Sequence, residues 1–286
     1  RASLRATEEA HLAPQSGQDV EEMELFLRYA YGLPLHEPVA EKALTRARMQ
    51  RIESTLPRLR IGGQALGHYA LGRGHLVLHE YAPAAAQLQK AWELGMRAPE
   101  LHYALGLALG ERYRSALLDA QRQTAPSALD RRKQELRAQF LLPALTHLRE
   151  SSGVRLEAPA YVEGLIAFYN EQPALALQKA EEALRQAPWL PEPKKLMADV
   201  HYAKGFALRH EGKYAESRKE LKVAVALYQE AEAISRSDAD IYVAEAETWA
   251  EVIKVDVNDG SNAGEDFLLS QRAVKDLALV LPGNAE

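Results

Sequence analysis

Residues 161–188 read YVEGLIAFYNEQPALALQKAEEALRQAP, and this stretch predicts two short helices packed back to back. Gly164 falls where the first helix needs a small residue, and Ala176, Ala180 and Ala183 line one stripe of the second helix. Pro188 then ends that helix. Because a lone helix pair cannot bury its apolar face, the stretch implies stacked neighbours.

The neighbours follow a period of about 34 residues, which separates Gly72 from Gly106 and Gly164 from Ala198. Within the period, a set of positions on the second helix recurs. Tyr81, Ala84, Leu88 and Ala91 follow Gly72 at the same spacings at which Pro173, Ala176, Ala180 and Ala183 follow Gly164. A helix-turn-helix of this length, with small residues at these places, resembles the tetratricopeptide repeat (TPR).

The repeats predict an all-α, TPR-like solenoid, a right-handed superhelix of about five antiparallel helix pairs. Residues 1–63 are expected to form an N-terminal helical cap or juxtamembrane segment, and residues 64–286 the solenoid. The spacing from Gly106 to Gly164 and the spacing from Ala198 to Ala246 both exceed one period. These insertions predict that the second and fourth hairpins are elongated.

Composition narrows the class of protein. The 286 residues include no cysteine, which excludes disulfides and cysteine-based metal sites, and the net charge of −5 is too small to indicate a partner. No apolar run reaches the roughly 18 residues of a membrane helix. The chain begins at Arg1 rather than at methionine, so we expect it to be a piece of a longer protein.

A wider resemblance covers residues 17–282. It rests on the runs GQDVEEMELFLRYAYGLPLHEP, GHYALGRGHLVLHEY, AWELGMRAPELHYALGLALGERYRSALLDA and YVEGLIAFYNEQPALALQKAEEALRQAPWLPE. These runs resemble the C-terminal region of bacterial receptor-like serine/threonine protein kinases. That resemblance implies a cytoplasmic kinase domain and a membrane helix upstream, and a sensory or partner-binding repeat region on the extracytoplasmic, periplasmic side.

The kinase chemistry itself is not expected in this chain, because the glycine-rich loop, strand lysine and HRD and DFG motifs are missing. Gly72-Arg73-Gly74 lacks a third glycine and is predicted to lie inside a helix. We therefore expect no enzyme activity, no cofactor and no metal. The leading hypothesis is a protein-interaction or sensory region. The alternatives are a free-standing cytoplasmic scaffold or chaperone adaptor, and a small-molecule- or metal-binding helical module.

A solenoid of helix pairs offers a concave groove lined by the first helix of each pair. Its centre is predicted to be rich in tyrosine, a residue type common at interface hot spots. The candidate peptide-binding residues are Tyr69, Arg73, Tyr103, Leu107, Tyr161, Leu165, Phe168, Tyr169, Lys195, Asp199 and Tyr202. We expect a protein or peptide ligand and no nucleic acid.

Four other features have a structural explanation that is simpler than a functional site. His68, His75 and His79 could face a metal, but are better explained as packed and hydrogen-bonded repeat residues. The run DVNDGSNAGED (256–266) fails the calcium-loop register and indicates a polar turn. The basic stretch from Lys42 to Arg60 is interpreted as a solvated helix face, and the alternatives are contact with acidic lipid headgroups or with nucleic acid. Asp199, Glu247 and Glu251 are taken as ordinary surface acids.

Overall fold

The computed structural model describes residues 18–123, 126–154 and 156–282, and within these ranges it contains helices and no strand. The helices are α1 (18–32), α2 (Val39–Thr55), α3 (Ile61–Val77), α4 (Tyr81–Glu93), α5 (Pro99–Gln123), α6 (Pro126–Leu136), α7 (Leu142–Glu150), α8 (Pro159–Tyr169), α9 (Pro173–Gln186), α10 (Glu192–His210), α11 (Tyr214–Ile234), α12 (Ala239–Asp259) and α13 (Gly264–Val280). A 3-10 turn follows α2 (Leu56–Arg58), and a π-helical turn (Arg137–Leu141) joins α6 to α7. The predicted all-α, TPR-like class is confirmed. No described helix has the length and apolar character needed to cross a membrane.

The helices form two compact units, each described by itself below. The first takes in the described residues 18–28 and 39–154, and the second takes in residues 29–38 and 156–282. The predicted division into residues 1–63 and 64–286 stays a prediction. Residues 1–17, the first part of the predicted cap, lie outside the described part of the chain.

Each unit contains an antiparallel helix pair in which a glycine of the first helix meets a leucine of the second. In the first unit, a Cβ on Gly72 would lie 2.5 Å from Leu88 Cγ. In the second unit, a Cβ on Gly205 would lie 2.7 Å from Leu221 Cγ. The leucine follows the glycine at the same spacing along the chain in both cases, so these two glycines occupy the same structural position.

The stretch that predicted the fold forms the pair α8–α9 of the second unit. Ala176, Ala180 and Ala183 are fully buried, which confirms the alanine stripe. Gly164 faces the backbone oxygen of Ala176, which a Cβ would approach to 3.5 Å. Ala180 follows Gly164 at the spacing at which Leu88 and Leu221 follow their glycines, so the second helix of this pair carries alanine at the leucine position.

The turn between the two helices of a pair also recurs. His79, Glu171 and Gly212 each lie seven residues after the glycine position of their pair, and their φ angles are 59°, 57° and 76°. A positive φ strains a residue that carries a Cβ. Two of the three turns therefore hold a side chain in a conformation that glycine adopts without strain.

The two elongated hairpins are confirmed. In the second pair α5 has 25 residues, and its return is a run of α6, the π-helical turn and α7. In the fourth pair α10 has 19 residues and α11 has 21, whereas α8 and α9 have 11 and 14. Residues 124 and 125, between α5 and α6 of the second hairpin, lie outside the described residues.

Candidate functional site

In the first unit, α3 carries the predicted groove residues Tyr69 and Arg73, and α5 carries Tyr103 and Leu107. Tyr103 lies close enough to Arg73 to influence its charge, and we call the four residues the α3 face. Arg73 Nη1 donates to the Tyr69 hydroxyl at 2.5 Å, and its guanidinium lies 5.6 Å from the centre of the Tyr69 ring. Arg73 also forms an ion pair with Glu24 of α1. A helical segment of the chain itself is therefore held by the α3 face.

Burial strengthens this contact. The Arg73 side chain is 17% exposed, and burial alone would lower its pKa, but Glu24 and the hydroxyls of Tyr69 and Tyr103 raise it above its ordinary value. Burial also raises the pKa of Tyr69. An ion pair at a partly dry site is stronger than the same pair in water. The α3 face is thus suited to hold a carboxylate on a helix.

In the second unit, the predicted residues of α8 differ in exposure. Leu165 and Tyr169 are buried, at 4% and 5% exposure, so they form core rather than an open surface. Tyr161 packs against a cluster of buried alanines, and Phe168 remains partly exposed with its ring 5.7 Å from that of Tyr169. The α8 residues therefore offer a ligand less surface than their number suggested.

The residues predicted on α10 lie on one side of that helix. Lys195 Nζ lies 3.7 Å from Asp199 Oδ2 and 3.7 Å from Asp240 Oδ2 of α12. Asp199 accepts a hydrogen bond of 2.5 Å from the Tyr228 hydroxyl and is 8% exposed. The expectation that Asp199 is a surface acid is wrong, because α11 covers it. The expectation that Glu251 is a surface acid is also wrong, because its exposed fraction is 4%.

The structure adds three residues to this side of α10 that the sequence reasoning missed: Phe206, Arg209 and His210. The candidate positions on this helix were counted from Ala198, but the contact with Leu221 places the glycine position at Gly205. The inward positions lie three residues before the glycine position and one, four and five residues after it. Counted from Gly205, they are Tyr202, Phe206, Arg209 and His210. The signal was present in the sequence, since a seven-residue insertion almost preserves the facing side of a helix.

These residues form an aromatic row. The Tyr202 and Phe206 rings are 6.1 Å apart, and the Phe206 and His210 rings are 4.6 Å apart. The Arg209 guanidinium lies 5.2 Å from the Phe206 ring centre, and its Nε lies 2.9 Å from Glu251 of α12. We call the set Lys195, Asp199, Tyr202, Phe206 and His210 the α10 face. Tyr202 and Phe206 are partly exposed and His210 is exposed.

The other candidate residues have structural partners. His68 bonds to Gln87 at 2.7 Å, His75 to Glu80 at 2.6 Å and His79 to the Tyr81 hydroxyl at 2.9 Å. The three rings thus point to three different partners. Among the residues that the structure describes, no group of three or more histidine, aspartate and glutamate side chains is placed to hold a metal ion.

The residues of the remaining motifs lie inside helices or form ion pairs within the fold. Gly72-Arg73-Gly74 lies inside α3, as predicted. Within 256–266, Asp256 is 1% exposed and accepts from Arg218 Nε at 2.6 Å. In the basic stretch, Arg46 pairs with Glu80 at 2.7 Å and Arg48 with Glu22 at 2.5 Å. Part of the stretch expected to face solvent is therefore engaged in ion pairs.

No protein-family model matches this chain, and no curated protein matches it. Solved structures give matches to TPR proteins. TTC0263, a thermophilic TPR protein of Thermus thermophilus, matches with 20% identity and a TM-score of 0.45 over 74% of this chain and 95% of its own. YrrB, a TPR protein with an unusual peptide-binding site, matches with 16% identity and a TM-score of 0.33 over 77% and 88%. With identities and TM-scores this low, the two structures share only the helical repeat fold with this chain.

Proposed function

We propose that this chain is a non-catalytic module that binds a protein or peptide along its first-helix faces. The observation that supports this best is the aromatic row of the α10 face. Tyr202 and Phe206 stand at the same register positions as Tyr69 and Arg73, which in the first unit hold a helical segment of the chain through Glu24. The α10 face therefore presents, with partly exposed rings, the positions that grip a helix elsewhere in the molecule.

The chemistry of the α10 face indicates what it would bind. Phe206 and Tyr202 supply rigid apolar area, which dominates the binding energy of many interfaces. Lys195 and Arg209 lie beside carboxylates on α10 and α12, so they supply charge without a large net field. An amphipathic helix or extended peptide with apolar anchors fits this combination.

Selection from a displayed peptide library against the purified chain tests the proposal. The selected peptides would be titrated by fluorescence anisotropy against the wild type, Phe206→Ala, and the control Trp189→Ala, which removes an exposed ring of the same unit. We expect Phe206→Ala to weaken binding by about tenfold or more and Trp189→Ala to change it little. Equal losses in both variants, or no selected peptide, would contradict binding at the α10 face.

The parent protein is proposed to be a bacterial receptor-like serine/threonine kinase, with this chain as its sensory region on the periplasmic side. The support is the sequence resemblance over residues 17–282. The reading frame that encodes Arg1 tests it. We expect an upstream membrane helix and, before it, a glycine-rich loop with HRD and DFG motifs. A start codon immediately before this region would favour a free-standing cytoplasmic scaffold instead.

A further inference from the structure

A histidine recurs at one position of three helix pairs, four residues before the glycine that contacts the second helix: His68 on α3, His102 on α5 and His201 on α10. In each pair its Nδ1 atom lies within hydrogen-bond distance of the residue that precedes the contacting leucine: Gln87, His147 and Glu220. The recurrence shows that one side-chain hydrogen bond at this position joins the two helices of a pair.

The partner on the second helix differs among the three pairs. Gln87 and Glu220 each offer an oxygen at 2.7 Å, so the histidine nitrogen donates its proton in those pairs. In the second pair the partner is another imidazole, and the Nδ1 atoms of His102 and His147 face each other at 2.9 Å. Two neutral imidazoles hold one proton in this contact. When that proton moves to the Nε2 atom of its own ring, both Nδ1 atoms present a lone pair to the same point.

The distance between the two nitrogens suits a metal ion bound by both. Metal–nitrogen bonds are about 2.0–2.1 Å long, so two nitrogens at right angles around one ion lie about 2.9 Å apart. The ring centres of His102 and His147 are 5.0 Å apart. Two rings that share an ion in this way have centres about 4.5 Å apart, and a small turn of each ring about its broad χ2 torsion closes that difference. Right angles between nitrogen ligands are typical of Cu²⁺ and Ni²⁺, which favour square-planar or tetragonal sites.

The surroundings of the histidine pair also suit a cation. Both rings are partly exposed, so an ion reaches them from solvent. Burial, and then the charge of His102, lower the pKa of His147 to about 4, so this imidazole is neutral at pH 7, as a metal ligand must be. Glu150, at the end of α7, acts on the same pKa in the opposite direction through its charge. A negative charge that favours a bound cation therefore lies near the pair.

We propose that His102 and His147 form a two-histidine site for a divalent transition-metal ion, Cu²⁺ or Ni²⁺. The ion replaces the hydrogen bond between α5 and α7 by two coordinate bonds from the same nitrogens. In the part of the chain that the structure describes, no group of three histidine or acidic side chains is placed to hold a metal ion, so water completes the coordination sphere. This proposal replaces the expectation, drawn from the sequence, that the chain binds no metal, and it does not depend on peptide binding at the α10 face.

A Cu²⁺ titration of the full chain at pH 7, followed by tryptophan fluorescence, tests the site. The Trp92 ring lies 6.4 Å from the His147 ring, so a paramagnetic ion bound there quenches its emission. His147→Gln is the test variant, because it recreates the His68–Gln87 bond of the first pair and keeps the helices joined. We expect it to raise the dissociation constant for Cu²⁺ by about a hundredfold, since two linked ligands gain at least that much over one. His201→Gln removes one imidazole at the same position of α10 and should leave the dissociation constant unchanged.

Electron paramagnetic resonance of the Cu²⁺ complex counts the nitrogens that bind the ion. At one equivalent of Cu²⁺ we expect hyperfine splitting from two nitrogens in the wild type and in His201→Gln, and from one nitrogen or none in His147→Gln. Circular dichroism establishes that each variant remains helical. Equal affinity in His147→Gln and the wild type, or a wild-type spectrum with fewer than two nitrogens, would overturn the proposal and show that Cu²⁺ binds only to scattered single histidines.

Discussion

Replacing Gly205 by alanine tests whether the glycine–leucine contact sets the distance between the helices of a pair. The new Cβ would lie 2.7 Å from Leu221 Cγ, 2.9 Å from its Cδ2 and 3.2 Å from its backbone nitrogen. A rotamer change can relieve the contacts with the side chain, but only movement of α11 relieves the contact with the backbone. Overpacking of this kind costs about 1–3 kcal/mol.

The same substitution removes a helix-interior glycine, which by itself stabilises a helix by up to about 1 kcal/mol. We therefore expect Gly205→Ala to lower the free energy of unfolding by about 1–2 kcal/mol. Gly62→Ala, where no atom lies within 4 Å of the new Cβ, should stabilise instead. Gly164→Ala should fall between them, since its closest contact, at 2.9 Å, is the movable end of the Leu196 side chain.

Urea unfolding followed by tryptophan fluorescence measures these changes. Trp249 lies in the same cluster as Leu221, so its signal reports on the second unit when Trp92 and Trp189 are replaced by phenylalanine. A double-mutant cycle with Leu221→Ala separates the two kinds of contact, because the shortened side chain removes Cγ and Cδ2 but leaves the backbone nitrogen in place. The loss that remains in the Leu221→Ala background measures the backbone contact, and Gly205→Ala as stable as the wild type would refute the reasoning.

Three further predictions concern pH and backbone strain. Burial and the neighbouring Glu245 raise the pKa of Glu232 to about 9. Between pH 4.5 and 9 this carboxyl is ionised only in the unfolded state, so the free energy of unfolding should fall as pH rises. Urea titrations should show a weaker dependence of the free energy of unfolding on pH for Glu232→Gln than for the wild type. Burial, and then the charge of His102, lower the pKa of His147 to about 4. Between pH 6.5 and 4 this imidazole is protonated only in the unfolded state, so the free energy of unfolding should fall as pH drops through this range. In acid titrations, His147→Gln should lack this part of the loss. Glu171 has φ +57°, so Glu171→Gly should raise the free energy of unfolding by about 1 kcal/mol, whereas loss of stability in thermal melts would show that the side chain matters more than the strain.

The sequence predicted the helix pairs because their signals are local. The repeat period and the alanine stripe at Ala176, Ala180 and Ala183 lie within the elements that they specify. The groove positions of the fourth pair were counted from Ala198, two helical turns before the glycine that contacts Leu221, and seven added residues keep the same side of the helix inward. Counting from Ala198 leaves Phe206 out of the candidate residues. A positive φ at Glu171 could not be predicted from its own residue type, because glycine and asparagine are the usual signals.

The burial of acidic residues could not be predicted for a different reason. Asp199, Glu251 and Asp256 look like surface residues in a helical pattern, and each is buried by a partner far along the chain. Tyr228 donates to Asp199, Arg209 pairs with Glu251 at 2.9 Å, and Arg218 donates to Asp256 at 2.6 Å. Which of many carboxylates meets which cation depends on how the pairs stack, and the repeat period does not contain that information.

These ion pairs bear on how one helix pair selects its neighbour. A buried charge that loses its partner destabilises a fold by about 3–5 kcal/mol. Arg218 of α11 therefore favours a neighbour that places a carboxylate where Asp256 lies, and disfavours other helices. The equivalent residue of α13 is Phe267, because it and Arg218 each follow the first buried residue of their helix. Phe267 is uncharged and therefore needs no carboxylate on its neighbour. An apolar residue at this position can pack against any apolar helix face, so α13 lacks the charge by which α11 favours one neighbour over another.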